Sequence, residues 1–259
     1  MQNKLLDGKV AVITGGAGGI GLAVATAFSE NGASIVLTDV DQEKLQKSAK
    51  SISGPVLPIK LDVTNENETR SVLEQTLKAF GKVDIVVPNA GILHLSHFIN
   101  TEINILSSVL ETNLIGAFTT AKIFTEQLVK QDTGGRVIFT SSLFGLRGGQ
   151  ENTAYSASKF GMIGMMQCLA AELASHNILT NCVCPGQMQT EMIEKLFIER
   201  AEITGKSVSE VRSDLTSKIP IGHLGSMSDL AGTYVYLASN LSNYVTGQSI
   251  VVDGGWQVG

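Results

Sequence analysis

Short runs of β-branched and other apolar residues alternate along the chain with longer segments of helical period. Several of the short runs are almost continuously apolar, which is typical of parallel strands buried on both faces. The alternation predicts βαβ units, in which helices cover both faces of a parallel sheet. The predicted strands are 10–14, 34–38, 56–61, 84–88, 136–140, 179–184 and 248–253.

The pattern becomes irregular between residues 186 and 226, a segment too long for an ordinary loop. The stretch "TEMIEKLF" predicts a helix that carries Met192 and Leu196 on one face, with Ile193 and Phe197 beside them. "SVSE" at 207–210 has the form of a capping box and predicts a second helix. We interpret residues 187–226 as a lid within a single domain spanning 1–259.

Composition narrows the class of protein. Of the 259 residues, 43% are hydrophobic and 17% charged, which indicates a globular protein. The net charge of −5 argues against nucleic acid or an acidic membrane as partner. The opening "MQNKLLDGKV" has no apolar core of a signal peptide, and no apolar run reaches the ~20 residues of a membrane span. The expected location is the cytoplasm.

The cysteine and histidine residues that could bind a metal are few, and their spacing does not match that of a metal site. Cys168, Cys182 and Cys184 contain no CxxC pair, and the last two share one face of a strand. Buried thiols explain them better than a metal site does. His94 and His97 alone are equally weak evidence for a metal site, so no metal is expected.

A glycine-rich stretch, "TGGAGGIG" at 14–21, follows the first strand and opens a helical pattern. Glycine lets the backbone turn tightly and approach a pyrophosphate, whose charge then faces the helix N-terminus. This context indicates a dinucleotide site rather than a Gly-rich turn without a ligand.

An acidic residue is expected about 20 residues further on, where it contacts the adenosine ribose. Asp39 ends the second strand, and neither Thr38 nor Val40 offers a positive charge to a 2′-phosphate. NAD is therefore favoured over NADP. The alternative is that Asp39 caps the next helix, a role that Asp41 can also fill.

"YSASK" places Tyr155 and Lys159 four residues apart, on one face of a helix. A free tyrosine has a pKa near 10, and a neighbouring ammonium group lowers it. The pair is either a solvated helix edge or a general acid/base.

Further motifs follow in a fixed order. They are "LDV" (61–63), "PNAG" (88–91), Asn113, "TSSLFG" (140–145), "PGQMQT" (185–190) and "VDGGW" (252–256). Together with the glycine loop and "YSASK", they resemble the short-chain dehydrogenase/reductase family over nearly the whole chain. Pro88 and Met188 depart from the residues common in that family.

The resemblance implies a Rossmann-like, doubly wound domain with strand order 3-2-1-4-5-6-7 and hydride transfer between NAD(P) and a secondary alcohol or ketone. It implies that Tyr155 is the general acid/base, that Lys159 and the oxidised nicotinamide lower its pKa, and that Ser142 holds the substrate oxygen. Asn113 would support a water that links Lys159 to solvent.

The residues expected at the cofactor are Gly15, Ala17, Gly18, Gly19, Ile20, Gly21, Asp39, Val40, Asp62, Val63, Asn89, Ala90, Gly91, Thr140, Tyr155, Lys159, Pro185, Gly186, Met188 and Thr190. Those expected at the substrate are Ser142, His94, Phe144, Gln150, Gln187, Met192 and Trp256. His94 can equally be a surface histidine, and Arg147 is either solvated or a contact for an anion.

The NAD preference and the long lid are similar to the family's polyol, sugar-alcohol and diol (acetoin-type) dehydrogenases. A 3-oxoacyl thioester or 3-hydroxy-acid enzyme is the alternative, and an NAD-sensing binding protein is the alternative of another class. Met162, Met165, Met166 and Leu169 make the helix after Tyr155 strongly apolar, which fits either core packing or the subunit contact of the family's tetramers.

Overall fold

Seven parallel strands form one sheet within residues 4–258, the part of the chain that this computed structural model describes. The strands are β1 (Val10–Thr14), β2 (Ser34–Asp39), β3 (Val56–Lys60), β4 (Ile85–Val87), β5 (Gly135–Thr140), β6 (Ile178–Pro185) and β7 (Ser249–Val252). They are ordered β3-β2-β1-β4-β5-β6-β7, which confirms the predicted doubly wound topology. Successive strands are added on one side of β1 up to β3 and on its other side from β4 onward. The point between β1 and β4 is therefore the topological switch point, where such folds bind ligands.

Helices connect successive strands and cover both faces of the sheet. They are α1 (Gly19–Glu30), α2 (Gln42–Ser51), α3 (Glu66–Phe80), α4 (Ile103–Leu110), α5 (Gly116–Gln131), α6 (Thr153–Leu173), α7 (Glu191–Thr204), α8 (Val208–Thr216) and α9 (Met227–Ala238). A π-helical turn, Glu111–Ile115, joins α4 to α5. None of the helices formed by residues 4–258 is long and apolar enough to cross a membrane.

The central strands are continuously apolar because each contributes to two cores, one on either face of the sheet. In β1, Ala11 and Ile13 face the core beneath α1 and α9, whereas Val10 and Val12 face the core beneath α3, α5 and α6. All five residues of the strand are buried. The near-continuous apolar pattern that predicted parallel strands therefore has this physical origin.

The irregular segment contains α7 and α8, as the sequence predicts, and forms a third apolar cluster. Ser207 and Glu210 form the expected capping box. The buried face of α7 is centred on Ile193, Leu196 and Phe197, whereas Met192 is 40% exposed. As the sequence predicts, Met192 and Leu196 lie one turn apart on one face of α7, with Leu196 buried and Met192 at the exposed edge of that face.

The loop after β1 is held against the end of β4 by close backbone packing. Gly15 has a φ of +63°, and a Cβ there would lie 2.8 Å from the Cα of Ala90. A Cβ on Gly21 would lie 2.2 Å from the carbonyl oxygen of Gly15 and 2.7 Å from Nδ2 of Asn89. Real Cβ atoms do not approach so closely, so this turn requires glycine at both positions.

We expect Gly21→Ala to lower the free energy of unfolding by about 1–3 kcal/mol, because the added methyl group overpacks the turn. The control is Gly232→Ala, the same exchange at an exposed position of α9 where a Cβ meets nothing within 4 Å. That variant gains helix propensity and should become more stable by up to ~1 kcal/mol. Urea denaturation measures both, and a stabilised Gly21→Ala variant would contradict the packing argument.

Candidate active site

A cavity of about 420 Å³ lies at the carboxyl ends of β1, β4, β5 and β6. One end is formed by the glycine loop and the start of α2, and the other by the turn after β5, the start of α6 and the lid. This position is the crevice where open α/β sheets bind their ligands.

Most residues predicted at the cofactor line this cavity. They are Gly15, Ala17, Gly18, Gly19, Ile20, Asp39, Asn89, Ala90, Gly91, Thr140, Tyr155, Lys159, Pro185, Gly186, Met188 and Thr190. Four others are absent from its lining. Gly21 packs beneath the loop, Val40 is exposed, the Asp62 carboxylate accepts hydrogen bonds from Thr64, and Val63 is buried.

The predicted substrate residues divide between two places. Ser142, Phe144, Gln187 and Met192 line the cavity. Gln150 and Trp256 instead line a second cavity of about 400 Å³, which also contains Arg147. The ring of Phe144 meets Trp256 edge-on, with centroids 6.5 Å apart, and contributes to both cavities. His94 is half-buried and lines neither of them.

Helix α6 brings Tyr155 and Lys159 together, with Ser142 nearby at the end of β5. Lys159 is 2% exposed, and its Nζ donates a 2.7 Å hydrogen bond to the carbonyl oxygen of Thr140. The same Nζ lies 5.6 Å from the centroid of the Tyr155 ring. A phenol, a hydroxyl and an ammonium group therefore converge at one end of the cavity.

Burial dominates the acidity of this cluster. It raises the pKa of Tyr155 to about 12, although a hydrogen bond with Ser142 acts in the opposite direction. Burial also lowers the pKa of Lys159 to about 8. Without a cofactor, desolvation thus outweighs the stabilisation of the phenolate by the chain's own residues; the predicted lowering of this pKa by Lys159 and the oxidised nicotinamide together stays a prediction.

Asn113 lies in the π-helical turn, and its buried side chain is fully engaged within the protein. Its Oδ1 accepts a 2.8 Å hydrogen bond from the amide of Ile92, and its Nδ2 donates to the Ile92 carbonyl oxygen at 2.9 Å. Nδ2 also donates to Oγ of Ser158 at 3.1 Å. A Cβ on Gly91 would come within 3.2 Å of Oδ1 and 3.6 Å of the Lys159 Nζ, so Asn113 anchors the loop after β4 beside the lysine.

We expect Asn113→Ala to lower the free energy of unfolding by about 2–4 kcal/mol, because the amide and the carbonyl of Ile92 both lose their partner. The control is Asn100→Ala, at an exposed asparagine, which should change it by less than ~0.5 kcal/mol. Urea denaturation without cofactor measures both. Equal, small losses would show that Asn113 does not anchor the loop.

The other end of the cavity carries the acidic residue expected at the ribose. Asp39 accepts hydrogen bonds from the backbone amides of Ala17, at 3.0 Å, and Asp41, at 3.1 Å. Asp41 caps α2 by accepting from the amide of Lys44. Asp39 is thus not needed as a helix cap, and its carboxylate lies directly on the glycine loop.

Lys44 is a cavity residue that the sequence argument missed. Its Nζ forms a 2.6 Å ion pair with Oε2 of Glu191, at the start of α7. A Cβ on Gly18 would lie 3.1 Å from that Nζ, so the ammonium group stands over the glycine loop. Its position in the sequence could have indicated this role, because Lys44 lies in the first turn of α2 and the helix that follows β2 begins beside the glycine loop.

The residues present fit a dinucleotide. Helix α1 begins at Gly19, so its first amides lack helical partners and face the cavity end formed by the glycine loop. Gly18 and Gly19 line the cavity with backbone atoms alone, which leaves room for a pyrophosphate. Asp39 lines the same end, where its carboxylate could bind the ribose next to that pyrophosphate. Among residues 4–258, no cluster of three or more potential metal ligands is present.

Comparison with known proteins gives this geometry a context. The family model described as enoyl-(acyl carrier protein) reductase matches residues 15–257. The crystal structure of a short-chain type dehydrogenase/reductase from Mycobacterium marinum superposes with a TM-score of 0.91 and 34% identity, covering 99% of this chain and 98% of that one. The chain belongs to the short-chain dehydrogenase/reductase family.

Two curated relatives illustrate the chemistry of the family. A 3-oxoacyl-(acyl-carrier-protein) reductase from Thermotoga maritima is 36% identical over 253 residues, 96% of this chain and 98% of the relative. An L-rhamnose 1-dehydrogenase (NAD(P)(+)) from Sphingomonas sp. is 32% identical over 259 residues, 98% of each chain. These relatives support an oxidoreductase that acts on an alcohol or ketone with a nicotinamide cofactor.

Proposed function

We propose that the protein is an NAD(H)-dependent oxidoreductase that acts on the secondary alcohol or ketone of a small polyol, sugar alcohol or diol. The observation that carries the proposal is the convergence of Ser142, Tyr155 and Lys159 at one end of the cavity that the glycine loop opens at the other. A substrate held at these side chains would lie in line with a dinucleotide extended from Asp39.

Tyr155 takes the proton of the alcohol during oxidation and returns it during reduction. When bound, the nicotinamide cofactor supplies the hydride acceptor or donor. Ser142 holds the substrate oxygen and shares the charge that develops on it. Lys159 is fixed by the Thr140 carbonyl oxygen and directs its ammonium group towards the phenol. Asn113 positions the loop after β4 around this lysine.

The tyrosine pKa of about 12 sets a requirement for oxidation near neutral pH. A phenol with this pKa is almost entirely protonated there and cannot act as a base. A positive charge beside it stabilises the phenolate. We propose that Lys159 and the oxidised nicotinamide together supply this charge in the working complex. In the reductive direction the protonated phenol is already the acid that the reaction needs.

Asp39 supports NAD as the preferred cofactor. Its carboxylate accepts hydrogen bonds from ribose hydroxyls and repels a 2′-phosphate. Lys44, the cation at this end, is paired with Glu191 and stands over the glycine loop. Since Lys44 is already paired with an acid, we propose that Asp39 decides the preference.

A 3-oxoacyl thioester reductase is the second candidate. The apolar walls formed by Leu143, Ile193 and Leu196 can accept an acyl chain, and the Thermotoga maritima relative carries that activity in its name. A catalytically silent protein that senses NAD is the candidate of another class.

We further propose that residues 187–226 act as a lid and that the protein forms a homo-oligomer, a tetramer as the family resemblance implies. Helix α7 contributes Met192, Ile193 and Leu196 to the wall of the cavity, and α8 packs in the same apolar cluster through Val211 and Leu215. Phe118 and Phe160, on α5 and α6, are 49% and 45% exposed, which suits a contact between subunits.

The proposed location is the cytoplasm. Cys168, Cys182 and Cys184 are all free thiols, the state in which cysteines persist in that compartment. The expected partners are therefore the small-molecule substrate, the cofactor and further copies of this chain.

Tyr155→Phe should lower kcat by about 10²–10⁴-fold, because the variant has no group to exchange the proton. Binding of NADH, followed by its fluorescence, should be nearly unchanged. Tyr244→Phe removes a hydroxyl from a fully exposed ring and serves as the control. Full activity in Tyr155→Phe would refute the mechanism, and a wild type that binds NADH but turns over nothing would favour the sensor.

A panel at 340 nm distinguishes the two enzyme candidates. Sorbitol, galactitol, ribitol, butane-2,3-diol and 3-hydroxybutyrate are tested with NAD and NADP, and acetoin and an acetoacetyl thioester with the reduced cofactors. Turnover of a polyol or diol supports the first candidate. Reduction of the thioester alone supports the second.

Asp39→Asn should shift the ratio of kcat/KM for NAD to that for NADP towards NADP by about tenfold or more, since a repulsive charge is worth at least ~1.4 kcal/mol here. The amide keeps an oxygen for the amide of Ala17. Asp132→Asn is the control, because it removes the same charge from a residue that lines neither cavity. An unchanged ratio in Asp39→Asn would remove this residue from the argument.

A further inference from the structure

Asn152 is a wall residue of the cavity whose side chain has no partner in the protein. It is 0% exposed, and both its Oδ1 and its Nδ2 are buried without a hydrogen bond. It nevertheless lines the same cavity as Ser142 and Tyr155. The amide is therefore shielded from bulk solvent and open to a ligand held at the reactive cluster.

The position makes this orientation unexpected. Asn152 is the N-cap residue of α6, and an asparagine there ordinarily accepts a hydrogen bond from an amide of the first turn. Here the side chain makes no cap hydrogen bond. A buried donor and acceptor left unpaired destabilise a fold, whereas an apolar residue of the same size would not.

Its distance along α6 places the amide close to the reaction. Asn152 and Tyr155 are three residues apart, and Cβ atoms at this spacing on a helix lie ~5–6 Å from one another. If Tyr155 exchanges the proton of one substrate oxygen, as proposed above, the Asn152 amide faces the atoms one or two bonds further along the substrate.

The charges around the cavity limit what this part of the substrate can be. Asp39, Asp41, Lys44 and Glu191 belong to the adenosine end, and the remaining charged residue in the lining, Lys159, is bonded to Thr140.

The rest of the described lining is neutral. It includes the polar side chain of Gln187 and the apolar ones of Leu93, Leu143 and Phe144. A carboxylate or phosphate would find no free cation there, whereas a hydroxyl or carbonyl matches an amide that both donates and accepts.

We propose that Asn152 binds a second, uncharged oxygen of the substrate, carried on the carbon next to the one that is oxidised. The preferred substrates are therefore vicinal diols and polyols in oxidation and hydroxyketones in reduction. This inference rests on the proposed function and names the feature by which that site selects its substrate.

The test compares butane-2,3-diol with butan-2-ol, which lacks only the second oxygen, at saturating NAD. Wild type should use the diol with a kcat/KM at least about tenfold higher, because a site built to bond a hydroxyl rejects the analogue without it. Asn152→Leu should lower kcat/KM for the diol by about tenfold or more and leave butan-2-ol nearly unchanged. Gln187→Leu makes the same kind of change at another neutral polar residue of the wall; whatever its effect on each alcohol, it should keep the ratio of the two kcat/KM values. Asn100→Leu, at an exposed asparagine that lines neither cavity, is the control for the exchange itself.

Three outcomes would overturn the inference. Equal use of both alcohols by the wild type would show that no second oxygen is recognised. Equal losses on both substrates in Asn152→Leu would show that the residue only positions Tyr155. Loss of the preference in Gln187→Leu alone would assign the oxygen to Gln187. An enzyme that oxidises neither alcohol nor any compound of the wider panel would instead refute the proposed function, and the inference with it.

A stability measurement provides a readout independent of turnover. In the absence of cofactor and substrate, Asn152→Leu should keep or raise the Tm, because an apolar group replaces an unpaired amide. A fall of about 4 °C or more would show that the amide supports the fold, and would overturn the assignment of its hydrogen bonds to a ligand.

Discussion

The side chain of Asn89 holds together the two strand ends between which the cavity opens. Its Nδ2 donates to the carbonyl oxygens of Thr14, at 2.9 Å, and Gly15, at 3.0 Å. The hydroxyl of Thr14 in turn accepts from the amides of Asn89 and Ala90. The backbone pairing of β1 with β4 ends at Ile13 and Val87, and in a parallel sheet no hairpin joins the strands beyond that point, so these side-chain hydrogen bonds continue the link where the loops begin. The glycine loop, and everything placed relative to it, depends on this clamp.

Burial of polar groups characterises the opposite end of the cavity. Lys159, Thr140 and Tyr234 form a connected set, since Thr140 accepts from the lysine through its carbonyl and shares a 2.8 Å hydrogen bond with the Tyr234 hydroxyl. Such a set is rigid because each lost bond would leave a buried group unpaired. This end of the cavity therefore keeps its shape through the buried contacts of Lys159 and Thr140, while the side chains of Asn152 and Ser156 stay without partners in the protein.

The sequence predicts most of the fold because strands that are buried on both faces are almost entirely apolar, and such runs can be recognised in the sequence. The lengths differ at the ends: β4 is confined to Ile85–Val87, and β7 to Ser249–Val252. The π-helical turn around Asn113 was not predicted, because a single turn of this kind is too short to be recognised from the spacing of apolar residues. Strand-end residues and the Tyr155 helix could be placed from spacing alone, since their position follows from local structure.

The residues whose surroundings sequence reasoning could not give depend on tertiary contacts. Asp62 and Val63 follow β3, and the structure adds that Asp62 accepts from Thr64 and that Val63 packs against the start of α5, while their predicted place at the cofactor stays a prediction. Lys44 and Asn152 reach the cavity only because α2 and α6 begin at its rim. The raised pKa of Tyr155 in the protein alone could not be predicted for a related reason: spacing reveals the neighbouring lysine, whereas desolvation depends on what covers both side chains.

The ion pair between Lys44 and Glu191 joins the first half of the fold to the lid across the mouth of the cavity. Both side chains are well exposed, at 39% and 83%, and pairs of this kind contribute only about 0–1 kcal/mol. Parting them requires little work, whereas displacing Lys159 or Asn113 would strip several buried groups of their partners. The two ends of the cavity thus differ in mechanical compliance. The rim at the Lys44–Glu191 pair can open at little cost in free energy, whereas the buried end around Lys159 and Asn113 resists displacement.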